Sequence, residues 1–249
     1  MTELRIIALP GLPEIVEGDD LPSLLAEAAR RADLEIAERD IFVIAQKIVS
    51  KAEGRTIALE GINPSPLARR WAAEYGKDAR LVEVVLKESH RIVRMERGII
   101  ISETRHGFVC ANAGVDASNA AEGTAVLLPK DPEMSARLIR EALEAAFGLK
   151  LAVIISDTFG RPWREGLVNI ALAVSGIAPL LDYRGRFDSH GNLLKVTVLA
   201  VADELASAAE LVMGKTIGVP VAIVRGFDYE AREPNAREMI RPPHQDLFR

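Results

Sequence analysis

The sequence predicts an α+β fold with mixed or antiparallel sheets. Short β-branched runs and amphipathic helical stretches are interspersed without the regular strand–helix–strand alternation of a doubly wound sheet. Between residues 92 and 111 three strand-like runs follow one another with only charged turns between them, a meander that predicts antiparallel pairing. The composition is that of a packed protein: 249 residues, 49% hydrophobic and 27% charged, which suffices for one large or two modest domains.

Each element has a local reason. Leu4 to Leu9 is short and β-branched, and Pro10, Gly11 and Pro13 stop it, so a strand feeds a tight loop. From Asp20, placed as N-cap, Leu21, Leu24, Leu25, Ala28 and Ala29 fall on one helical face. Ile41 to Ala45 is an apolar strand running into Gln46, Lys47 and Ser50 to Arg55. Asn63 and Pro64 predict a helix start, with Leu67, Trp71 and Tyr75 on its face, and a second helix covers about Leu81 to Ser89. The meander strands are Ile92 to Met95, Gly98 to Ser102 and Gly107 to Ala111. Asp131 and Pro132 open a helix that Gly148 stops. Leu151 to Ile155 predicts a strand ending at Ser156, Asp157 and Thr158, followed by a Gly-, Arg- and Asp-rich stretch through Gly191. Lys195 to Val201 is strand-like, Ala202 to Met213 helical and Val219 to Val224 strand-like again. The chain reads as a single domain over 1–249, with a division in which a central part of about 90–195 is inserted between N- and C-terminal parts left open. The tail 231–249 is polar and Pro-containing, a draped extension or a disordered end.

Composition also excludes. Lys plus Arg total 31 against 36 Asp plus Glu, a net charge of −5, which disfavours nucleic acid and anionic membrane as partners. No run reaches the roughly 18 apolar residues of a membrane helix, and charge enters by Glu3 and Arg5, so the chain is expected in the cytoplasm. The single Cys110 reads as a reduced core thiol, and His90, His106, His190 and His244 show no paired spacing for zinc. There is no GxSxG for serine hydrolase chemistry.

Two polar segments could carry chemistry. Asn112 to Asn119 (NAGVDASN) combines small residues with Asn and Asp oxygens, which suits a hard cation; the bland alternative is an Asx-rich turn. Asp157 and Thr158, at the expected strand end and followed by Arg161 and Arg164, pair a carboxylate with a hydroxyl; taken alone, a cap or turn would explain them. Together the two segments fit a divalent cation that holds nucleotide phosphates, with the arginines as countercharges. Lys51 within Ser50 to Gly54 could face phosphate or be a solvated Lys–Glu surface. Gly214, Lys215 and Thr216 do not complete a Walker A motif, since position 209 is Ala209, but form a short Gly-flanked candidate phosphate loop.

With these residues assembled, the chain resembles the coenzyme F-420-0:γ-glutamyl ligase family. The matching stretches are GLP at 11–13, SKAEGR at 50–55, NAGVDASN at 112–119, SDTFGRPWR at 156–164, VADELA at 201–206, and MGK with VPVAIVRG at 213–226. They span nearly the whole chain in order. The resemblance implies the family's own α+β fold, an intertwined homodimer with the active site near its interface, and amide formation between the lactyl carboxylate of the deazaflavin precursor F-420-0 and L-glutamate. GTP would be the co-substrate, Mg²⁺ or Mn²⁺ the cations, two of them, with K⁺ a further candidate, and more γ-linked glutamates could follow. Carried over by position, Asp116, Asp157 and Thr158 would be metal ligands. The loop Pro10, Gly11, Leu12 and Pro13, with Gln46, Lys47, Lys51 and Asn119, would contact the nucleotide, joined by Gly214, Lys215 and Thr216.

No residue is marked as general base. Archaeal relatives carry an acidic, Gly-rich segment where this chain has Lys215, Thr216 and Ile217, which bears on one metal ligand. Fused homologues continue beyond Phe248 and Arg249 into a flavin-reductase-like domain, so a stand-alone ligase and a ligase domain are both expected alternatives. The rival functions are another nucleotide-dependent carboxylate–amine ligase and a non-catalytic GTP- or deazaflavin-binding homologue. Two retained Asp residues argue against a pure binder, because their charges repel without a cation.

Overall fold

A computed structural model describes residues 3–118, 121–234 and 236–247. In chain order its elements are β1 (Arg5–Ala8), α1 (Leu21–Arg31), β2 (Ile41–Ala45), α2 (Gln46–Ala52), β3 (Thr56–Ala58), α3 (Pro66–Tyr75), α4 (Ala79–Glu88), β4 (Ser89–Glu96), β5 (Ile99–Thr104) and β6 (Val109–Ala111). There follow β7 (Thr124–Val126), α5 (Pro132–Phe147), β8 (Ala152–Arg161), β9 (Arg164–Ser175), β10 (Leu181–Asp182), β11 (Val198–Leu199), α6 (Val201–Met213) and β12 (Val221–Arg225). The mixture bears out the α+β expectation.

A five-stranded sheet in the order β1-β12-β2-β8-β9 forms the centre. Its neighbours are antiparallel except β2 and β8, which run parallel from Ile41↔Ala152 to Ala45↔Ser156. The apolar run of β2 is unbroken because both faces are covered. Phe42 and Ile44 pack with α1 and α5, whereas Ile41 and Val43 pack with α6. A third core, including Leu59, Ala68, Val82, Ile100, Val115 and Ala125, joins α3 and α4 to the loops around β3 and β7. The meander is antiparallel as expected, β4-β5-β6. β8 and β9, inside the stretch 90–195, form one edge of the central sheet.

Several boundaries differ from expectation. The helix expected from Asn63 and Pro64 begins at Pro66, because Ser65 is extended and its hydroxyl accepts from the Ala68 amide at 3.3 Å. The strand expected to end at Ile155 runs on to Arg161, and the following Gly-, Arg- and Asp-rich stretch supplies the twelve-residue β9. The ladder continues because it uses backbone groups, pairing Asp157 with Ile170 and Thr158 with Asn169. The hairpin turns at Pro162 and Trp163, the latter at φ 66. Of the strand-like run Lys195 to Val201 only Val198 and Leu199 pair, with Asp182 and Leu181. The described part of the tail is draped: Glu233 accepts from the Gly176 amide at 3.1 Å, and Ile240 lies over Gly107.

Candidate functional site

The site forms where the parallel pair β2 and β8 parts, the crevice in which open sheets commonly hold ligands. β2 ends at Ala45 and turns into α2, presenting Gln46 and Lys47 beside Ser156 and Asp157 of β8. Asp157 and Thr158 therefore sit within a strand, held by its ladder to β9, rather than at a strand end.

Asp116 is brought to the same place by the loop after β6. Asn112, Ala113 and Gly114 all have positive φ, and the chain then pairs back, with Asp116 N–H on the Val126 carbonyl at 3.0 Å and Val126 N–H on the Asp116 carbonyl at 2.8 Å. Gly114 is required there: at φ 70, a Cβ would meet Leu128 at 2.7 Å. The Asp116 carboxylate accepts from the Ser118 amide at 2.6 Å and hydroxyl at 2.9 Å, and lies 2.7 Å from Lys47 Nζ. Lys47 also donates to the Ser118 carbonyl and hydroxyl. Burial works to raise the Asp116 carboxyl, but Lys47 and Ser118 outweigh it and hold it below its ordinary value.

Asp157 behaves oppositely. Burial pushes its carboxyl up to about 6; the Thr158 amide opposes this, the Asp116 charge adds to it, and Lys47 and Lys215 pull it down. Burial and then the Asp157 charge push the Cys110 thiol up to about 12, which keeps it a protonated core thiol.

On the other side of Asp157 stands α6. Asp203, Ser207 and Glu210, at spacings of four and three along one helical face, all bond to β9: Asp203 accepts from the Ala171 amide, Ser207 donates to the Asn169 carbonyl, and Glu210 accepts from Asn169 Nδ2. Gly214 ends the helix, its amide on the Glu210 carbonyl, and turns the chain so that Lys215 Nζ reaches Thr158 Oγ1 at 2.6 Å. Asn169 and Glu210 were not among the expected site residues. Their signal was a polar residue inside the apolar run Leu167 to Val174 and a polar stripe on a largely apolar helix.

The other expected residues are placed as follows. Lys51, one turn beyond Lys47 on α2, pairs with Glu14 at 2.5 Å and thereby ties α2 to the loop Pro10 to Pro13. In that loop Gly11 takes φ 81, its carbonyl accepts from Arg31, and Leu12 packs on the central core. Gln46 is buried, accepts from the Ser50 hydroxyl at 2.8 Å, and leaves its amide nitrogen without a partner among the described residues. Thr216 is exposed in the bend after α6, and Asn119 lies outside the described residues. Arg161 turns back onto the Glu165 and Gly166 carbonyls of its own hairpin.

Asp116, Asp157 and Thr158 present hard oxygens, of the kind Mg²⁺ or Mn²⁺ takes, with Asp116 engaged by Lys47 and Ser118 and Thr158 by Lys215. Among the described residues no three His, Cys, Asp or Glu side chains gather into a self-sufficient metal cage. Nor is any described helix long and apolar enough to cross a membrane.

The family profile described as F420-0:Gamma-glutamyl ligase matches residues 11–226. The chain belongs to that family. Among similar proteins, the coenzyme F420:L-glutamate ligase of Methanothermobacter thermautotrophicus is 47% identical over 249 residues, covering 99% of each chain. That of Methanopyrus kandleri is 48% identical over 99% of this chain and 98% of its own. That of Archaeoglobus fulgidus is 40% identical over 99% of this chain and 96% of its own. The region matched by the ligase family holds every side chain of the Asp157 cluster and ends at Gly226, ahead of the draped tail.

Proposed function

We propose that this protein ligates L-glutamate to the lactyl carboxylate of F-420-0 at the expense of GTP, through an acyl phosphate. The observation that carries the reading is the juxtaposition of Asp116 and Asp157 with Lys47 and Lys215 where β2 and β8 part, in a chain of the γ-glutamyl ligase family. Asp116 and Asp157 would hold a divalent cation, Mg²⁺ or Mn²⁺, which when bound neutralises charge on the transferring phosphoryl group. A carboxylate oxygen of the lactyl group attacks the γ-phosphorus and GDP leaves; the glutamate amine then attacks the acyl carbon, phosphate leaves and the nitrogen gives up a proton.

Lys47 and Lys215 offer two ammonium groups to the phosphate oxygens. Lys51 and the loop Pro10 to Pro13 extend the nucleotide side along α2, with Gly214 and Thr216 flanking Lys215. Further γ-linked glutamates, a K⁺ requirement and an intertwined homodimer belong to the same proposal. The dimer would show in light scattering as twice the 27.1 kDa chain.

The test is incubation of the protein with F-420-0, glutamate, GTP and Mn²⁺. Mass spectrometry should find the precursor extended by glutamate, with one GDP per amide bond. GTP hydrolysis with a different carboxylate or amine accepted would favour another carboxylate–amine ligase, and ligand binding without turnover a non-catalytic homologue.

A further inference from the structure

Asp157 and Phe159 stand two residues apart on β8, so their side chains leave the strand on one face, about 7 Å apart along it. That face meets β6. The two strands pack together, and the Phe108 ring, just ahead of β6, lies 6.5 Å from the Phe159 ring at an interplanar angle of 89°. The His106 ring follows, 6.0 Å from Phe108 and tilted by 34°. A row of three flat side chains thus leads away from the Asp157 carboxylate.

Core packing does not account for the row. Phe108 and Phe159 are partly exposed and lie outside the three apolar cores described above. Both are nevertheless held in place. Phe159 sits in the ladder opposite Val168, while Phe108 closes a tight turn, its N–H on Thr104 Oγ1 at 3.2 Å and its carbonyl accepting from the Thr104 N–H at 2.8 Å. His106 is anchored by Nε2, which donates to the Lys130 carbonyl at 3.2 Å. Two rings fixed edge to face form a corner, in which a third flat ring stacks on one wall and meets the edge of the other, both favoured aromatic geometries.

The ligation reading brings two flat ligands, the guanine of GTP and the deazaflavin of F-420-0. It gives the nucleotide α2, the loop Pro10 to Pro13 and Gly214 to Thr216. The precursor has to place its lactyl carboxylate at the Asp157 cluster and carry its ring beyond, and the aromatic row begins on the same strand face as Asp157.

We propose that Phe159 and Phe108, with His106 behind them, seat the deazaflavin ring of the carboxylate substrate and so select a flat aromatic precursor. The identity of the ring rests on the ligase reading above.

The test is a titration of the full chain into F-420-0, read by deazaflavin fluorescence with GDP and Mg²⁺ present and glutamate left out. It compares the parent with Phe108→Leu and Phe159→Leu, which keep apolar bulk and lose the flat ring. Both variants should bind F-420-0 about 3- to 10-fold more weakly, raise its KM in the same proportion, and keep the parent's GTP affinity and thermal melt. Unchanged F-420-0 affinity in both variants would overturn the proposal, and so would a loss of GTP affinity in its place, which would seat guanine there. A lower melt with unchanged affinity would also overturn it, making the rings the seat of the draped tail, whose Ile240 lies over Gly107. Weakened F-420-0 binding in the variants, with no glutamyl product from the parent, would refute the ligase reading and keep the seat. Ligation by the parent with equal F-420-0 affinity in all three proteins would do the reverse.

Discussion

The Lys47 ammonium lies 2.7 Å from Asp116 Oδ2, joining the first turn of α2 to a loop that begins about 70 residues later, after β6. Both side chains are partly exposed, at 24% and 37%, so the pair is worth only about 0–1 kcal/mol to stability. Its value lies in placement. Lys47→Ala and Asp116→Asn are each expected to lower ligation by about 10²-fold or more with the melting temperature nearly unchanged. A large loss of stability with activity in the folded fraction preserved would assign the pair to folding instead.

Gly114 sets where that loop turns. Gly114→Ala combines a strained φ with a Cβ 2.7 Å from Leu128, so a loss of about 1–3 kcal/mol in denaturant unfolding is expected. Because Asp116 follows two residues later, the activity of the folded variant should also fall. An Ala variant as stable and active as the parent would show that the loop tolerates another path.

Ile41 to Ala45 and the helix from Pro132 were legible to the residue, because an uninterrupted apolar run and a cap–proline–glycine pattern are local causes. The extent of β8 was not legible: Asp157 looked like a strand end because apolar side chains stop at Ile155, whereas the ladder follows backbone pairing with β9. Asp116, Asp157 and Thr158 stood out as polar residues beside apolar runs. Asn169 and Glu210 did not, because what makes them site residues is their contact with each other, across about 40 residues of sequence.

Lys51 is expected to serve the nucleotide phosphates. Lys51→Ala should weaken GTP binding and reduce its salt dependence, since one fixed cation is lost. Unchanged affinity by calorimetry would leave Lys51 as a partner of Glu14 alone.

Glu144 provides a pH signature away from the site. Burial works to raise its carboxyl, but the Leu151 amide and the Arg140 guanidinium outweigh burial and hold it below the ordinary value. A depressed folded pKa stabilises above the unfolded value of about 4.3, and that stability is lost as pH falls through the folded pKa. Glu144→Gln should therefore cost about 1.5–3 kcal/mol at pH 7, with the gap to the parent closing below about pH 4. A gap independent of pH would contradict the ionic origin.

The most direct measurement compares the parent with Asp157→Asn in a single-turnover reaction with F-420-0, glutamate, GTP and Mn²⁺, read by mass spectrometry, with circular dichroism confirming the fold of both. The parent should convert precursor to its glutamyl amide, and the folded Asp157→Asn should form product at least about 10³-fold more slowly, since the carboxylate proposed to hold the cation at the phosphoryl group is gone. Equal product from both proteins, or none from either, would contradict the assignment of ligation to this site.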